Sequence, residues 1–345
     1  MSVNLEILST ETPELFRQAV ARAADLLEAG ELVVLPTETV YGLAANALEQ
    51  ATVAKIFEAK GRPSNNPIIV HVDGLAMAKR CVETWPDSAQ RLADAFWPGP
   101  LTLVLPKSKS IPDIVTAGGS TVGVRWPGHP LMREVIRRCG FPLAAPSANV
   151  SNQLSPTNAE HVRKGLGDKV RLIVDGGQSQ IGIESTVIDL TVIPAIVLRP
   201  GIIHEESLEA VLGEGMVVKI PTAAGDSLDA LKSPGQLLKH YSPNARLEIL
   251  GWQSEAELRD CLESAAIDRK RCRVLAHTNI PLGLESIQVC VLPHDPEAYA
   301  RALYAELHRC DEEGADLIVV EPVPDTPEWR GIADRLARAG AKPGD

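Results

Sequence analysis

The chain has 345 residues and a formal net charge of −11, with 45% apolar and 23% charged residues. This composition is typical of a soluble globular protein and excludes a disordered or fibrous chain. No apolar run approaches the roughly 18 residues of a membrane span, and the first residues are acidic rather than basic and then apolar. We therefore expect no membrane association, no signal peptide and a cytoplasmic location. The length exceeds that of one ordinary core and favours two domains.

The acidic charge is concentrated in the C-terminal part of the chain. Residues 1–205 carry 19 basic and 21 acidic side chains, whereas residues 246–345 carry 12 and 19. A nearly balanced region can bind an anionic ligand through locally placed cations, but an acidic region is a poor partner for nucleic acid.

The first predicted element is a helix that begins at Thr12-Pro13-Glu14 and ends at Gly30. The apolar run ELVVLPT (31–37) follows as a buried strand, and a turn containing Gly42 comes after it. Further strands are predicted at PIIVHV (67–72), LTLVLP (101–106), TVGVR (121–125), PLAAPS (142–147), VRLIVD (170–175), STVIDL (185–190) and AIVLRP (195–200). Helices are predicted near 49–60, 87–96 and 130–139. This mixture predicts an α/β domain over residues 1–205.

Residues 206–245 are predicted to form a linker, because prolines and glycines interrupt any periodicity from residue 215 onward. Beyond them strands and helices alternate. The predicted order is a strand at 246–250, a helix at 254–266, strands at 271–277 and 286–292, a helix at 296–310, a strand at 315–322 and a helix at 328–339. This alternation predicts a small Rossmann-like parallel α/β domain over residues 246–345.

Motifs of several common enzyme classes are absent from the sequence. There is no G-x-x-x-x-G-K-[ST] loop, no G-x-G-x-x-G, no H-E-x-x-H and no G-x-S-x-G. The six cysteines are scattered without a C-x-x-C pair or a nearby histidine pair, so we predict free thiols and no metal held by the protein. If the protein uses ATP, it must hold the phosphates in another way.

Two cations stand two residues apart at a predicted helix end, in Lys60-Gly61-Arg62. Arginine offers a planar fork and lysine a compact charge, and the pair suits a triphosphate better than a carboxylate. For an isolated pair the commoner interpretation is a surface turn, in which Lys60 complements the helix dipole and Arg62 is solvated. The polar residues Ser64–Asn66 and His71, which follow directly, favour a binding site instead.

Polar side chains also stand at other strand ends, where open α/β sheets bind ligands. The segment APSAN (145–149) has small residues that allow close approach of a ligand, although an ordinary capped turn has the same composition. Thr121 and Arg125 lie four residues apart on one strand and so share a face. A buried Arg125 would need a partner, and an anionic substrate is one candidate. ESTV (184–187) and LRPG (198–201) repeat this pattern.

Eight motifs in matching order resemble the threonylcarbamoyl-adenylate synthase family. They are PTETVYGL (36–43), KGRPSNNPIIVH (60–71), WPGPLTLVL (97–105), TVGVRWPGHP (121–130), APSAN (145–149), ESTV (184–187), LRPG (198–201) and KHYSP (239–243). The resemblance covers the whole chain. It implies a YrdC-like twisted open mixed sheet with helices, then a linker, and then the C-terminal domain of the longer members of the family.

The resemblance also implies a reaction, in which L-threonine, bicarbonate and ATP give threonylcarbamoyl-AMP and pyrophosphate. This is the first step of N6-threonylcarbamoyladenosine formation in transfer RNA, catalysed by a nucleotidyltransferase. ATP would bring Mg²⁺ with it. The implied partners are the downstream tRNA threonylcarbamoyl transferase machinery, with weak or no direct binding of tRNA and no membrane.

The resemblance assigns site residues by matching position. Those implied to bind ATP are Lys60, Arg62, Asn66, Thr121, Ser147, Asn149, Ser155, Arg199 and Tyr241, of which Lys60, Arg62, Ser147 and Asn149 form the catalytic group. Those implied to bind L-threonine are Thr39, His71, Arg125, Ala145 and Ser185. The segment 206–245, which bears Tyr241, would fold over the nucleotide as a lid.

Two other functions stay open at this point. A maturation enzyme that forms a carbamoyl-adenylate would share the catalytic domain, but such enzymes carry acylphosphatase-like and zinc-finger segments, and this chain has no C-x-x-C pair. A non-catalytic module that binds double-stranded RNA or tRNA is the other alternative, and the balanced charge of residues 1–205 disfavours it.

Overall fold

The computed structural model describes residues 4–219, 241–264, 268–284 and 287–341. The strands in these ranges are β1 (Glu6–Ser9), β2 (Val33–Leu35), β3 (Gly42–Asn46), β4 (Val70–His71), β5 (Leu101–Pro106), β6 (Thr121–Arg125), β7 (Leu143–Ala144), β8 (Leu172–Asp175), β9 (Thr186–Asp189), β10 (Ala195–Arg199), β11 (Val217–Lys219), β12 (Arg246–Ile249), β13 (Cys272–Ala276), β14 (Gln288–Val291) and β15 (Leu317–Val320). The helices are α1 (Pro13–Glu28), α2 (Gln50–Lys60), α3 (Leu75–Cys81), α4 (Asp87–Phe96), α5 (Pro130–Cys139), α6 (Ala159–Leu166), α7 (Glu205–Leu212), α8 (Glu255–Ser264), α9 (Pro296–Glu312) and α10 (Arg330–Gly340).

The strands β1 to β11 form one large mixed sheet, in the order β1-β8-β2-β3-β7-β4-β6-β5-β9-β10-β11. The sheet contains parallel pairs, such as β4 with β6, and antiparallel pairs, such as β5 with β6. Its central strands are apolar runs buried on both faces, which is what a sheet covered by helices requires. The predicted α/β class is confirmed.

The helix α1 begins as its sequence predicts. The Thr12 hydroxyl accepts a hydrogen bond from the Leu15 amide, and Pro13 occupies the first turn. Val20, Ala23 and Leu27 form its buried face. The predicted turn at Gly42 is wrong, however, because Gly42–Asn46 is strand β3, paired antiparallel with β2. Its sequence, GLAAN, has a low strand propensity, so its pairing rests on tertiary contacts.

The predicted linker is wrong over its first part. Residues 205–212 form α7, and Val217–Lys219 pair in parallel with β10 as the edge strand of the large sheet. Leu208 and Leu212 are buried in the same apolar core as this sheet, which explains why the segment folds onto it. The rest of the predicted linker and lid, with the first two residues of the KHYSP motif, lies outside the described residues up to Tyr241.

The strands β12 to β15 form a separate sheet in the order β12-β15-β13-β14, and every pair is parallel. The connections through α8 and α9 are the crossovers that parallel strands require. The predicted small parallel α/β unit is therefore confirmed. None of the described helices is both long and apolar enough to cross a membrane.

The two sheets are joined by a common apolar cluster, which we call the shared core. It combines residues of the first part with residues of α9, α10 and the second sheet. Its members include Val40, Leu154, Ile183, Tyr241, Tyr299, Leu303, Tyr304, Leu307, Ile332 and Leu336. Polar contacts flank it: Arg330 pairs with Glu205 at 2.9 Å, and the rings of His161 and His308 stack with centroids 3.8 Å apart.

Candidate active site

A cavity of about 50 Å³ lies where several strands of the large sheet end. One part of the lining comes from the β2–β3 loop, the segment after α2 and the ends of β4, β6 and β10. The rest comes from the residues after β7, the residues before β9, and Tyr241. The lining residues are Thr37, Thr39, Val40, Tyr41, Gly42, Arg62, Ile69, His71, Arg125, Ala145, Pro146, Ser147, Glu184, Ser185, Arg199 and Tyr241.

Lys60 organises one wall of this cavity from behind. The ammonium is 1% exposed and donates to the carbonyl oxygens of Ser147 and Asn149 at 2.6 and 2.5 Å. Burial, followed by the charge of Arg62, holds the pKa of Lys60 well below its usual range. The Ser147 hydroxyl donates to the Asn149 side chain at 2.5 Å. Lys60 therefore fixes the loop that presents Ser147 to the cavity.

Two buried arginines face the cavity. Nε of Arg62 donates to the Asn66 carbonyl oxygen at 2.9 Å, and Nη2 donates to the Asn66 amide oxygen at 2.7 Å. Nη1 of Arg62 makes no hydrogen bond within the described part of the chain. Nε and Nη2 of Arg199 donate to the carbonyl and hydroxyl oxygens of Ser185, both at 3.1 Å. Burial lowers the pKa of Arg62 to about 10, and the positive charge of Arg199 contributes to this shift.

Arg125 lies at the end of β6 with its guanidinium buried. Its Nη2 pairs with the Glu38 carboxylate at 2.5 Å, and its Nη1 donates to the Thr39 hydroxyl at 3.0 Å. Burial raises the pKa of Glu38, but the charge of Arg125 and hydrogen bonds from Arg125 and the backbone together outweigh this effect and lower the pKa. The sequence suggested an anionic substrate as the partner of Arg125. In the structure Glu38 already fills that role, while the guanidinium still borders the cavity.

His71 is a neutral imidazole beside Arg125. Burial, reinforced by the charge of Arg125, lowers the pKa of His71 to about 3. Its Nδ1 is buried and has no hydrogen-bond partner among the described residues. An unpaired buried nitrogen costs free energy, and this one belongs to a residue of the cavity wall.

Tyr241 closes the cavity on the side of the C-terminal part. Its backbone is left-handed, with φ of 62°, and its ring is 1% exposed. The hydroxyl lies 3.4 Å from Nη1 of Arg199. A tyrosine holds this strained backbone conformation only where its surroundings impose it. The shared core and the Ser242 amide, which donates to the Asn152 carbonyl oxygen at 2.9 Å, supply that constraint.

The structure brings most of the residues named by the resemblance to one place. Those that line the cavity are Arg62, Ser147, Arg199, Tyr241, Thr39, His71, Arg125, Ala145 and Ser185. Lys60, Asn66, Asn149 and Ser155 stand behind the lining and bind its members. Thr121 is not in the lining. It opens β6, four residues and about 13 Å from Arg125, so a ligand that reaches both must be extended.

Several residues in and around the cavity are not predicted from the sequence. Thr37 and Tyr41 line the cavity, and Glu38 stands behind it as the partner of Arg125. All three lie within the PTETVYGL motif, whose polar composition is the only local signal for them. Glu184 belongs to ESTV, whose sequence indicates only a polar strand end. Tyr304 and Arg335 come from the C-terminal part and contact Glu184, and no local sequence pattern distinguishes them.

The arrangement suits a polyanion. Four buried cations, Lys60, Arg62, Arg125 and Arg199, surround the cavity, against two buried carboxylates, Glu38 and Glu184. Each carboxylate is paired with an arginine. Fixed donors in a site that excludes water stabilise charge more than they do in solution. The fold and the cavity define the protein as an α/β protein with a cationic cavity at the strand ends of a twisted mixed sheet.

Comparison with known proteins identifies the family. Residues 25–201 match the Sua5/YciO/YrdC family model, described as telomere recombination. Residues 203–341 match the model described as threonylcarbamoyl-AMP synthase, C-terminal domain. Threonylcarbamoyl-AMP synthase of Pyrococcus abyssi is 40% identical over 321 residues, which are 92% of each chain. The same-named protein of Bacillus subtilis is 40% identical over 336 residues, covering 96% of this chain and 94% of that protein.

A solved structure shows the same architecture over the whole length. The crystal structure of P. abyssi Sua5 complexed with L-threonine superposes with a TM-score of 0.87 at 37% identity, covering 97% of each chain. The chain belongs to the threonylcarbamoyl-AMP synthase family. It is therefore an enzyme of the transferase type that acts at the first step of threonylcarbamoyladenosine formation in transfer RNA.

Proposed function

We propose that the enzyme condenses L-threonine, bicarbonate and ATP to threonylcarbamoyl-AMP and releases pyrophosphate. ATP occupies the side of the cavity formed by the end of α2, the 147–149 loop and the end of β10. L-threonine occupies the side formed by the β2–β3 loop and the ends of β4 and β6. The product feeds the downstream machinery that modifies transfer RNA.

The facing arginines carry this proposal. Arg62 and Arg199 are both buried, and the charge of one lowers the pKa of the other. Two guanidinium groups on one cavity wall attract a polyanion, and their planar forks suit phosphate oxygens. A triphosphate is such a polyanion, and Nη1 of Arg62 can donate to it. Ser147 and Tyr241 add hydroxyl contacts, while Lys60, Asn66, Asn149 and Ser155 hold these groups in place. Thr121 would contact a distant part of the same nucleotide.

The threonine side rests on the opposite wall. The related P. abyssi protein was crystallised with L-threonine. Here the guanidinium of Arg125 and the neutral imidazole of His71 lie together, with the hydroxyl groups of Thr39 and Ser185 and the backbone of Ala145 on the same wall. These groups suit an amino acid, because Arg125 attracts a carboxylate while His71 and the hydroxyl groups bind its amine or hydroxyl.

The chemistry needs positioning and charge stabilisation more than proton transfer. The threonine amine and bicarbonate form a carbamate with loss of water. An oxygen of the carbamate then attacks the α-phosphate, and pyrophosphate leaves with the bond electrons. Arg62 and Arg199 stabilise the charge that spreads over the phosphoryl oxygens. Glu38 and Glu184 are both engaged by arginines, so Mg²⁺ would enter bound to the phosphates of ATP rather than in a carboxylate cage.

Release of pyrophosphate tests this function. The wild-type protein should release pyrophosphate from ATP only when both L-threonine and bicarbonate are present. Arg62→Ala should lower this rate at least about 100-fold, the usual scale for loss of one charge-stabilising donor. Arg17→Ala, which removes an exposed arginine paired with Glu14 on α1, serves as the control and should leave the rate unchanged.

Other outcomes would contradict the proposal. Release that requires carbamoyl phosphate instead of threonine would assign the protein to the carbamoyl-adenylate enzymes. No release under any combination, with tight binding of double-stranded RNA, would support the non-catalytic alternative. Undiminished release of pyrophosphate by Arg62→Ala would show that ATP does not bind on the side of the cavity formed by Arg62.

A further inference from the structure

The Glu184 carboxylate lines the cavity but is bound mainly from the C-terminal part. Its Oε2 accepts from Nε of Arg335 at 2.7 Å and from the Tyr304 hydroxyl at 3.2 Å. Its Oε1 accepts from the Ser155 hydroxyl at 2.5 Å. Two of these three donors stand on α9 and α10, outside the part of the chain that forms the large sheet.

Arg335 is fully buried, and its guanidinium meets the catalytic part through several atoms. Nη2 donates to the Glu184 carbonyl oxygen at 3.2 Å, and Nη1 donates to the Pro200 carbonyl oxygen at 2.9 Å. The guanidinium also lies over the Tyr241 ring, 5.3 Å from its centroid. Arg335 thus connects the residues before β9, the end of β10 and Tyr241, all of which border the cavity.

The charge of Glu184 matters because of its neighbours. It lines the same cavity as Arg62 and Arg199. A carboxylate without a counter-charge at this place would attract those arginines and repel the phosphates of a bound nucleotide. Arg335 gives Glu184 a counter-charge from behind, and Arg338 balances Asp334, the second carboxylate that Arg335 contacts. The cavity then keeps the positive potential that attracts an anion.

We propose that Arg335 is a positioning residue of the nucleotide site, which holds and neutralises Glu184 so that the cavity keeps its positive charge for a triphosphate. This inference rests on the proposed function, since it assumes that ATP is the anion. It gives the C-terminal part a direct electrostatic role in a site formed almost wholly by the first part.

Arg330 is a matched control, because it joins the two parts without contacting a residue of the cavity. Arg330 lies at the start of the same helix, and its Nη1 pairs with Glu205 at 2.9 Å and Glu206 at 2.8 Å on α7. This contact also joins the two parts, but neither glutamate lines the cavity. If Arg335 acts only by docking, Arg330→Ala and Arg335→Ala should weaken ATP binding to the same extent.

The test compares ATP affinity by titration calorimetry at pH 8 in the full-length wild type and in four variants: Arg335→Ala, Arg330→Ala, Glu184→Gln and the double variant Glu184→Gln/Arg335→Ala. Arg335→Ala should raise the dissociation constant of ATP about tenfold, or about 1.4 kcal/mol. Arg330→Ala should change it less than about twofold. In the Glu184→Gln background, Arg335→Ala should change it less than about threefold, because the carboxylate is gone.

Two results would overturn the inference: equal effects of Arg335→Ala and Arg330→Ala, or an effect of Arg335→Ala that is equally large in the Glu184→Gln background. Thermal unfolding of each variant shows whether it is folded. If Arg335→Ala fails to fold, Arg335→Lys keeps the charge but loses the fork, and it should bind ATP better than Arg335→Met. Equal binding by these two variants would also overturn the inference. Failure of the proposed function would instead appear in the wild type, as absence of ATP binding or of threonine-dependent release of pyrophosphate.

Discussion

Lys60 binds the protein itself rather than lying open to solvent, and this has a measurable consequence. Lys60→Met should lower pyrophosphate release at least about tenfold, because the carbonyl oxygens of Ser147 and Asn149 lose their donor and the loop loses its position. Lys55→Met is the control. Lys55 lies on the same helix and donates to the Gly30 carbonyl oxygen at 2.7 Å, away from the cavity.

The rate of pyrophosphate release at saturating substrates checks this prediction. Equal activity of the Lys60 and Lys55 variants would show that the 147–149 loop needs no support from Lys60.

His71 makes stability depend on pH. Its pKa is about 3 in the folded protein and about 6.5 when unfolded, so the unfolded chain binds more protons below pH 6.5. Stability from this group is complete above pH 6.5 and is lost progressively as the pH falls toward 3. Between pH 8 and pH 5, the contribution of His71 to the free energy of unfolding falls by about 2 kcal/mol.

Urea unfolding of the wild type and of His71→Asn at these two pH values measures that share. The variant should lose about 2 kcal/mol less than the wild type between pH 8 and pH 5. An identical loss in both proteins would mean that His71 is protonated when folded.

At the residue scale, the sequence indicates which side chains lie close together where the motifs are local. Lys60, Arg62 and Asn66 follow one another along a helix end, and Ser147 and Asn149 stand in one loop, so their proximity could be inferred. Glu38 could not be recognised as the partner of Arg125, because 87 residues separate them and only the sheet joins their elements. Arg335 is farther still, at 151 residues from Glu184.

At the scale of elements, α10 approaches the end of β10 without side chains between them. A Cβ added to Gly331 would lie 2.7 Å from the Gly201 carbonyl oxygen. This clash can be relieved only by a shift of the backbone at Gly331 or Gly201. Gly331→Ala should therefore displace α10 and lower the free energy of unfolding by about 1–3 kcal/mol. ATP binding should weaken as well, because Arg335 stands one turn further along the helix.

Gly165→Ala is the control for this change. Gly165 lies within α6, and a Cβ there would meet nothing within 4 Å. Alanine at this position should leave stability unchanged or raise it by up to about 1 kcal/mol, because it restricts the unfolded chain. Urea unfolding of both variants decides the question, and a Gly331→Ala protein as stable as the wild type would contradict the close packing of α10.

The elements that sequence patterns predicted are those whose burial follows from local periodicity. β5 and β6 match the predicted ranges because each is an apolar run with clear ends. β1 and β11 were not predicted, since both are short edge strands with half-exposed or alternating side chains. Among the described residues, α3, α6 and α7 were missed for a similar reason, since each has only seven or eight residues.

At the scale of the whole molecule, the candidate active site lies where the two parts meet. The first part supplies the cations, and the second part supplies Arg335 and Tyr304 behind Glu184. Sequence patterns separated the two parts correctly as units of different topology. They could not predict the contact between them, because a contact between distant surfaces leaves no periodicity in either segment.

The shared core also determines how cooperatively the molecule unfolds. Val40, Leu154 and Ile183 are buried in one cluster with residues of α9 and α10. Neither part can therefore unfold without exposing apolar surface of the other to water. We expect one cooperative calorimetric transition, with equal van't Hoff and calorimetric enthalpies, despite the two sheets. Variants that retain only Trp97 of the first part or only Trp329 of the second should report the same midpoint by fluorescence. Two separate midpoints would show that the parts melt independently.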